Sequence, residues 1–396
     1  MVIHDKRKKI ALGLVNFFIE SLYLPVRLFS RKIDFEGFTP KKILLIRIDH
    51  IGDVVMTSPA FTLLKERFPE SEILLLTSSA GRQLYGGHPE IDRVLEFNWP
   101  WSYQKSDNRF TVRKFREIYR LVSLLRKEQI DLFVDFRGDL RFVLLFGLFA
   151  GAKVRISNSR SGKSSLLHHI IAYDHDKHEV ERSIEVLRCL VTPAAKYYPS
   201  LTLLPADIEA AQRSVSGATG ISDFSRVALI APYSSQHIKS WPDGHFQQVI
   251  RHLVEKDFTV LVMGTWEDEA DAMQLVAPFP RNVFSIAGKT GIREAAALIS
   301  MSAVIVGVDT GVLHLASCFD IPIVAIFGAT RSLEYAPYSA KTRVVDSGLC
   351  KCDQFLHMNC DEPVSTYSWC LAQLTPDRVI RAVGEVLEAE EAKIAG

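Results

Sequence analysis

The chain lacks an excess of charge of either sign: 47 Lys and Arg stand against 46 Asp and Glu in 396 residues. A dedicated nucleic-acid binder normally carries a basic surplus, so no nucleic-acid partner is expected. No secretory leader is expected either, because no small-residue cleavage site follows the first apolar stretch. A cytoplasmic, reducing setting is therefore expected, in which scattered structural disulfides are out of place. Low-complexity segments and short-period repeats are absent. So are a Gly-rich dinucleotide fingerprint and a Walker loop ending in Lys-Ser/Thr, the usual signatures of dinucleotide and P-loop binding. No uninterrupted apolar run reaches the ~20 residues that a spanning helix needs.

The hydrophobic share, 47%, suits large cores, and the length predicts two domains of ~150–200 residues. Residues 1–40 form an amphipathic extension. Within it, KRKKIALGLVNFFIESLYLPVRLFSRK (6–32) is apolar with basic flanks and is interrupted by Asn16, Glu20 and Pro25. One reading lays it in a membrane interface, with Phe17, Phe18, Leu22 and Leu24 buried and Lys and Arg against anionic headgroups. That would place the protein on the inner face of the cytoplasmic membrane. The other reading docks the helix on the protein's own body.

From residue 41 strand-like apolar runs alternate with amphipathic helices, the pattern of βαβ units and parallel sheets. KILLIRI (42–48), EILLLTS (72–78) and DLFVDFRG (131–138) read as strands. Ser58-Pro59 predicts a helix start, with further helices over about 111–128 and 179–191. YYPSLTLLPADIEAA (197–211) reads as a connection, after which the alternation restarts. RVALIAPYSS (226–235), FTVLVMG (258–264), AVIVGVDTG (303–311) and IPIVAIFGAT (321–330) are the next strands, with helices over 242–256 and about 376–391. The expected architecture is α/β, with two Rossmann-like doubly wound domains, 41–200 and 201–396, facing a cleft. Ligands of such sheets bind beyond the carboxyl ends of the strands.

IRIDHIGDVVMTSPA (46–60) places Asp49, Gly52 and Asp53 at such a strand end. Gly52 allows a tight turn and close approach to a ligand. Asp53 is either the cap of the following helix or a general base able to take a proton from a hydroxyl. In GVDTGVLHLAS (307–317), Asp309, Thr310 and Gly311 open a helix bearing His314, and a helix start suits an anion such as phosphate. His314 alone reads equally as a structural histidine. APYSSQHIKSWP (231–242) offers the hydroxyls of Ser234 and Ser235 and the point charge of Lys239 to a diphosphate; a solvated loop is the plain alternative. GTWEDEADA (264–272) ends a strand with carboxylates, suited to ribose hydroxyls or to a solvated helix start.

These stretches together resemble glycosyltransferase family 9, the bacterial lipopolysaccharide heptosyltransferases and their relatives. The resemblance rests on IRIDHIGDVVMTSPA, KSWP and GVDTGVLHLAS…IPIVAIFGAT in their expected order, and it runs from about residue 41 to 390. It implies the glycosyltransferase-B fold, with a lipid-linked glycan acceptor on the N-terminal domain and a nucleotide sugar, ADP-heptose above others, on the C-terminal one. By that resemblance Asp53 is the catalytic base, while Ser234, Ser235 and Lys239 contact phosphate. Asp309, Thr310, Gly311 and His314 line the diphosphate, and Glu267 or Glu269 holds the ribose. An inverting transfer follows, with no cofactor and no metal, the protein itself meeting the leaving group's charge. A nucleotide-sugar epimerase and a non-catalytic sugar-nucleotide module of the same fold are the rival readings.

Of six cysteines, Cys350, Cys352, Cys360 and Cys370 crowd one late stretch. Their spacing matches no standard zinc pattern. Four thiolates could close a structural site, but unlinked thiols are the expectation.

Overall fold

A computed structural model describes residues 33–98, 112–162, 165–350 and 368–395. The helix expected over 6–32, Cys352 and Cys360 lie outside the described residues. The chain divides into two compact units at Tyr197 and Tyr198.

The first unit runs β1 (Lys42–Arg47), α1 (Ile51–Arg67), β2 (Glu72–Thr77), α2 (Ser79–Tyr85), β3 (Arg93–Glu96), α3 (Val112–Glu128) and β4 (Leu132–Asp135). It continues through a π-helical stretch (Val143–Leu148) to β5 (Val154–Asn158), β6 (His169–Ile171) and α4 (Glu179–Val186). All six strands pair in parallel in the order β3-β2-β1-β4-β5-β6. The central strands read as unbroken apolar runs because helices cover both faces of the sheet. Leu44, for example, sits in register with Leu74 on one side and Phe133 on the other. Phe133, Phe142 and Phe146 fill one of the resulting cores.

The second unit runs α5 (Pro205–Thr219), β7 (Val227–Ala231), α6 (Asp243–Glu255), β8 (Thr259–Val262), α7 (Glu269–Val276), β9 (Val283–Ser285) and α8 (Ile292–Met301). Then come β10 (Val304–Val308), α9 (Gly311–Ala316), β11 (Ile323–Phe327), β12 (Thr342–Asp346) and α10 (Pro376–Ala395). Its sheet has the same parallel topology, β12-β11-β10-β7-β8-β9. Strand β10 lies so close to β7 that a Cβ on Gly307 would stand 2.5 Å from the Ala231 carbonyl oxygen. Trp241 anchors this core, its indole N–H donating to the Leu374 carbonyl at 2.9 Å.

Two local expectations change. Helix α1 begins at Ile51, seven residues before Ser58, and Pro59 lies inside it. Proline cannot donate to the carbonyl four residues back, here that of Val55. The Ser58 hydroxyl makes that bond instead, at 2.8 Å, so the helix continues through the pair that reads as a start. The connection expected over 197–211 turns helical at Pro205, which occupies the first turn of α5, while Asp207 accepts the Leu204 N–H at 2.7 Å.

Candidate active site

Every strand of the first unit ends on the same edge, and Arg47, the last residue of β1, is buried there. Its Nη1 and Nη2 are hydrogen-bonded, while Nε makes an ion pair without a hydrogen bond. Nη1 donates to the Phe136 carbonyl at 3.1 Å and Nε lies 3.2 Å from Asp49 Oδ2. Nη2 is shared, at 3.0 Å to Asp53 Oδ1 and 2.7 Å to Glu179 Oε1. Asp49 also pairs with Arg137, and Glu179 Oε2 with Arg182 at 2.7 Å. Three carboxylates thus meet three guanidinium groups, the balance that buried charge requires. Burial works against the Arg47 charge, but Glu179 and Asp53 outweigh it and hold the guanidinium more firmly protonated than usual. Glu179 is likewise disfavoured by burial, yet Arg47 and Arg182 keep its carboxyl below the usual range.

Asp53 serves both of its sequence readings. Its Oδ2 accepts the His50 N–H at 3.3 Å from the third position of α1, the capping arrangement, while Oδ1 holds Arg47. It differs from its neighbours in access. The Asp53 side chain is 26% exposed, against 8% for Asp49 and 3% for Glu179. Gly52 is buried in the first turn of α1 rather than in a loop.

The second unit gathers its polar groups around Asp309, just beyond β10. Lys239 Nζ lies 2.7 Å from Asp309 Oδ2, the Thr330 hydroxyl donates to the same oxygen at 2.7 Å, and His314 Nε2 stands 3.8 Å from Oδ1. Burial opposes its charge, yet Lys239 and His314 hold the Asp309 carboxyl well below the usual carboxylate range. Thr310 caps α9 with extended backbone and no side-chain bond. Helix α9 has only six residues, so the positive end of its dipole is weak. Ser234 accepts the Gln236 N–H at a long 3.5 Å, and Ser235 is exposed. A cavity of about 200 Å³ borders this cluster, lined by Gly328, Thr330, Arg331, Ser332 and Asp346 among others.

After β8, Glu267 and Glu269 both point to solvent. Asp268 closes the turn between them, accepting from the Thr265 N–H at 2.7 Å and hydroxyl at 2.8 Å. Cys350 and Cys370 stand as free thiols in contact with one another. Burial raises the Cys370 thiol above its ordinary value. The chain has an Asp-x-Asp, Asp174-His175-Asp176. Asp174 Oδ1 accepts the Asp176 N–H at 2.9 Å, which makes a local turn. Among the described residues no group of three His, Cys, Asp or Glu is placed to hold a metal, and no helix is long and apolar enough to cross a membrane.

Arg47, Glu179 and Arg182 are the site residues that sequence reasoning missed. Arg47 left a trace, as a charge near the far end of the apolar run in KILLIRI, which otherwise has only Lys42 at its start. Glu179 and Arg182 lie on the helix expected over 179–191, and the Arg47 partner of Glu179, 132 positions away in the chain, leaves no local signal.

The chain matches glycosyltransferase family 9 (heptosyltransferase) over residues 118–364. Lipopolysaccharide heptosyltransferase 3 of Escherichia coli K12 is 26% identical over 300 residues, covering 73% of this chain and 83% of that protein. The solved structure of E. coli ADP-heptose lps heptosyltransferase II superposes with a TM-score of 0.71 at 22% identity, over 88% of this chain and 99% of that one. E. coli heptosyltransferase WaaC with ADP gives a TM-score of 0.66 at 18% identity, over 87% and 99%. The fold is that of these transferases.

Proposed function

The chain belongs to glycosyltransferase family 9, the heptosyltransferases, and from that premise we propose that it moves heptose from ADP-heptose to a hydroxyl of a lipopolysaccharide-core or related glycan, with inversion and with Asp53 as general base. The observation that carries this reading is the unequal access within the Arg47 cluster. Of three carboxylates on one guanidinium, Asp53 is the one that solvent reaches at a strand-end edge. The names of the relatives, which act on lipopolysaccharide or use ADP-heptose, support the choice of donor and acceptor.

In the reaction, Asp53 takes the acceptor's hydroxyl proton while that oxygen forms its bond to the anomeric carbon. The bond from that carbon to the diphosphate breaks, and the nucleoside diphosphate departs with the electron pair. Lys239, held in place by Asp309, meets the charge that develops there. His314 Nδ1, buried and without a protein partner among the described residues, is a second polar atom within this cluster. Ser234, Ser235, Thr310 and Gly311 complete the diphosphate subsite, and Glu267 or Glu269 holds the ribose. The first unit takes the acceptor and the second the donor, with residues 1–40 bringing the chain to an anionic membrane surface.

Replacing Asp53 by Asn tests the reading. Turnover falls by about 10²–10⁴-fold, the usual contribution of a general base, while calorimetric affinity for ADP is unchanged. Turnover within about tenfold of wild type removes Asp53 from the mechanism. A thermal-shift panel of ADP-, UDP- and GDP-linked sugars tests the donor, and stabilisation by ADP-heptose above the others is the expected result.

A further inference from the structure

The Arg47 cluster holds two carboxylates besides Asp53, and one of them, Glu179, shares the same Nη2. Glu179 opens α4, whose N-cap His178 accepts the Val180 N–H at 3.1 Å. Helix α4 packs on α1, where Thr57 and Ser183 hydroxyls stand 3.5 Å apart. This packing delivers Glu179 Oε1 to the same Nη2 that binds Asp53, and at the shorter distance, 2.7 against 3.0 Å. A guanidinium closed on one carboxylate alone makes that carboxylate a strong ion-pair partner and a poor base, lowering its proton affinity by ~1–3 pH units.

We propose that Glu179 is the positioning residue for Asp53, dividing the Arg47 Nη2 between two carboxylates so that Asp53 stays fixed in place yet able to accept the acceptor's proton. The inference rests on the reading of Asp53 as base. The charges around the pair come from every neighbouring segment. Arg47 and Asp49 come from β1 and its loop, His50 from the start of α1, and Arg137 and Asp139 from beyond β4. Arg160 and Tyr173 follow β5 and β6, and Arg182 lies on α4. Arg182 holds the other oxygen of Glu179 and stacks 4.7 Å over Tyr173, which fixes the Glu179 side chain. The Asp53 charge also acts directly on Glu179, opposing its ionisation.

The sign of the test follows. In Glu179→Gln the Arg47 Nη2 is left to Asp53 alone, so the acid limb of the pH–rate profile moves down by about one pH unit. The weaker base lowers kcat roughly three- to tenfold, and the affinity for ADP is unchanged. Glu179→Asp, which keeps the charge, recovers most of the rate and moves the limb back. If Glu179→Gln does not fold, Glu179→Gln/Arg182→Gln removes one charge of each sign and takes its place. A ¹³C-carboxyl titration of Asp53 reads the same shift without turnover. An Asp53 titration and an acid limb that stay at their wild-type positions overturn the inference. A turnover that survives Asp53→Asn overturns the base assignment instead.

Discussion

Asp135 and Asp309 occupy matching places in the two units. Asp135 ends β4, beside the central strand of its sheet, and Asp309 directly follows β10, which flanks the central strand of the other. Both carboxyls are buried, yet their proton affinities move in opposite directions. Burial, with the Asp139 charge adding to it, pushes Asp135 up to about 7. Asp309 is held far lower by Lys239 and His314 against the same burial. The difference is a cation at hydrogen-bond distance. Asp135 receives only neutral donors, the Arg137 and Asp139 amides at 3.1 and 2.8 Å and the Ser157 hydroxyl at 3.0 Å. In the first unit the cation serves Asp49, Asp53 and Glu179 instead, through Arg47. Each unit thus has carboxylates organised by a cation just beyond a central strand, and the proposed chemistry uses those on Arg47 and Lys239.

The largest effect comes from removing the first unit's cation. Arg47→Met leaves Asp49, Asp53 and Glu179 facing each other with no shared partner, and breaking a buried ion pair in this one-sided way costs about 3–5 kcal/mol. Urea denaturation followed by circular dichroism measures it. A loss below about 1 kcal/mol would mean that water, not Arg47, balances those carboxylates.

A smaller effect follows from making Asp309 resemble Asp135. Lys239→Ala strips the cation 2.7 Å from Asp309, so the diphosphate loses its point charge and meets an uncompensated carboxylate. The Kd for ADP rises about tenfold or more, equivalent to ~1.4 kcal/mol. The mutant's affinity depends less on salt than that of wild type, because one screened attraction is gone. Equal affinities measured by calorimetry would return residues 231–242 to the status of a solvated loop.

The contrast between the units also shows what the sequence could carry. The buried strands β1, β2, β4, β7, β8, β10 and β11 were legible because helices on both faces demand unbroken apolar runs. The edge strands were not. Arg93–Glu96 has no fully buried residue and His169–Ile171 is three residues long, so neither shows a period. The start of α1 misled because Ser58 supplies the bond that Pro59 lacks, which local propensity does not anticipate. Asp53, Lys239, Asp309 and His314 stood out through their places at strand ends. That Lys239 pairs with Asp309, or that Glu179 shares Arg47 with Asp53, depends on contacts 70 and 132 positions apart in the chain, beyond the reach of any motif.

The smallest effect sharpens the comparison through pH. The folded Asp135 carboxyl binds its proton up to about pH 7, whereas an unfolded aspartate releases it near ~3.9. Between those values the folded state holds more protons than the unfolded one, so stability falls as pH rises across this window. The slope cannot exceed about 1.4 kcal/mol per pH unit for one proton. Asp135→Asn removes this term while its amide oxygen can still accept the neighbouring N–H groups. Its stability relative to wild type therefore improves from pH 5 to pH 7.5, by about 1 kcal/mol once relaxation of the site is allowed for. Asp309→Asn gives the opposite sign. Its paired carboxylate contributes stability above the unfolded aspartate range and loses it as pH falls through the lower folded value, so the deficit of the variant is greatest at neutral pH and shrinks in acid. Urea midpoints for both variants at pH 3, 5 and 7.5 decide the matter. Two variants whose deficits move with pH in the same direction would show that the cation beside Asp309 is not what separates these two aspartates.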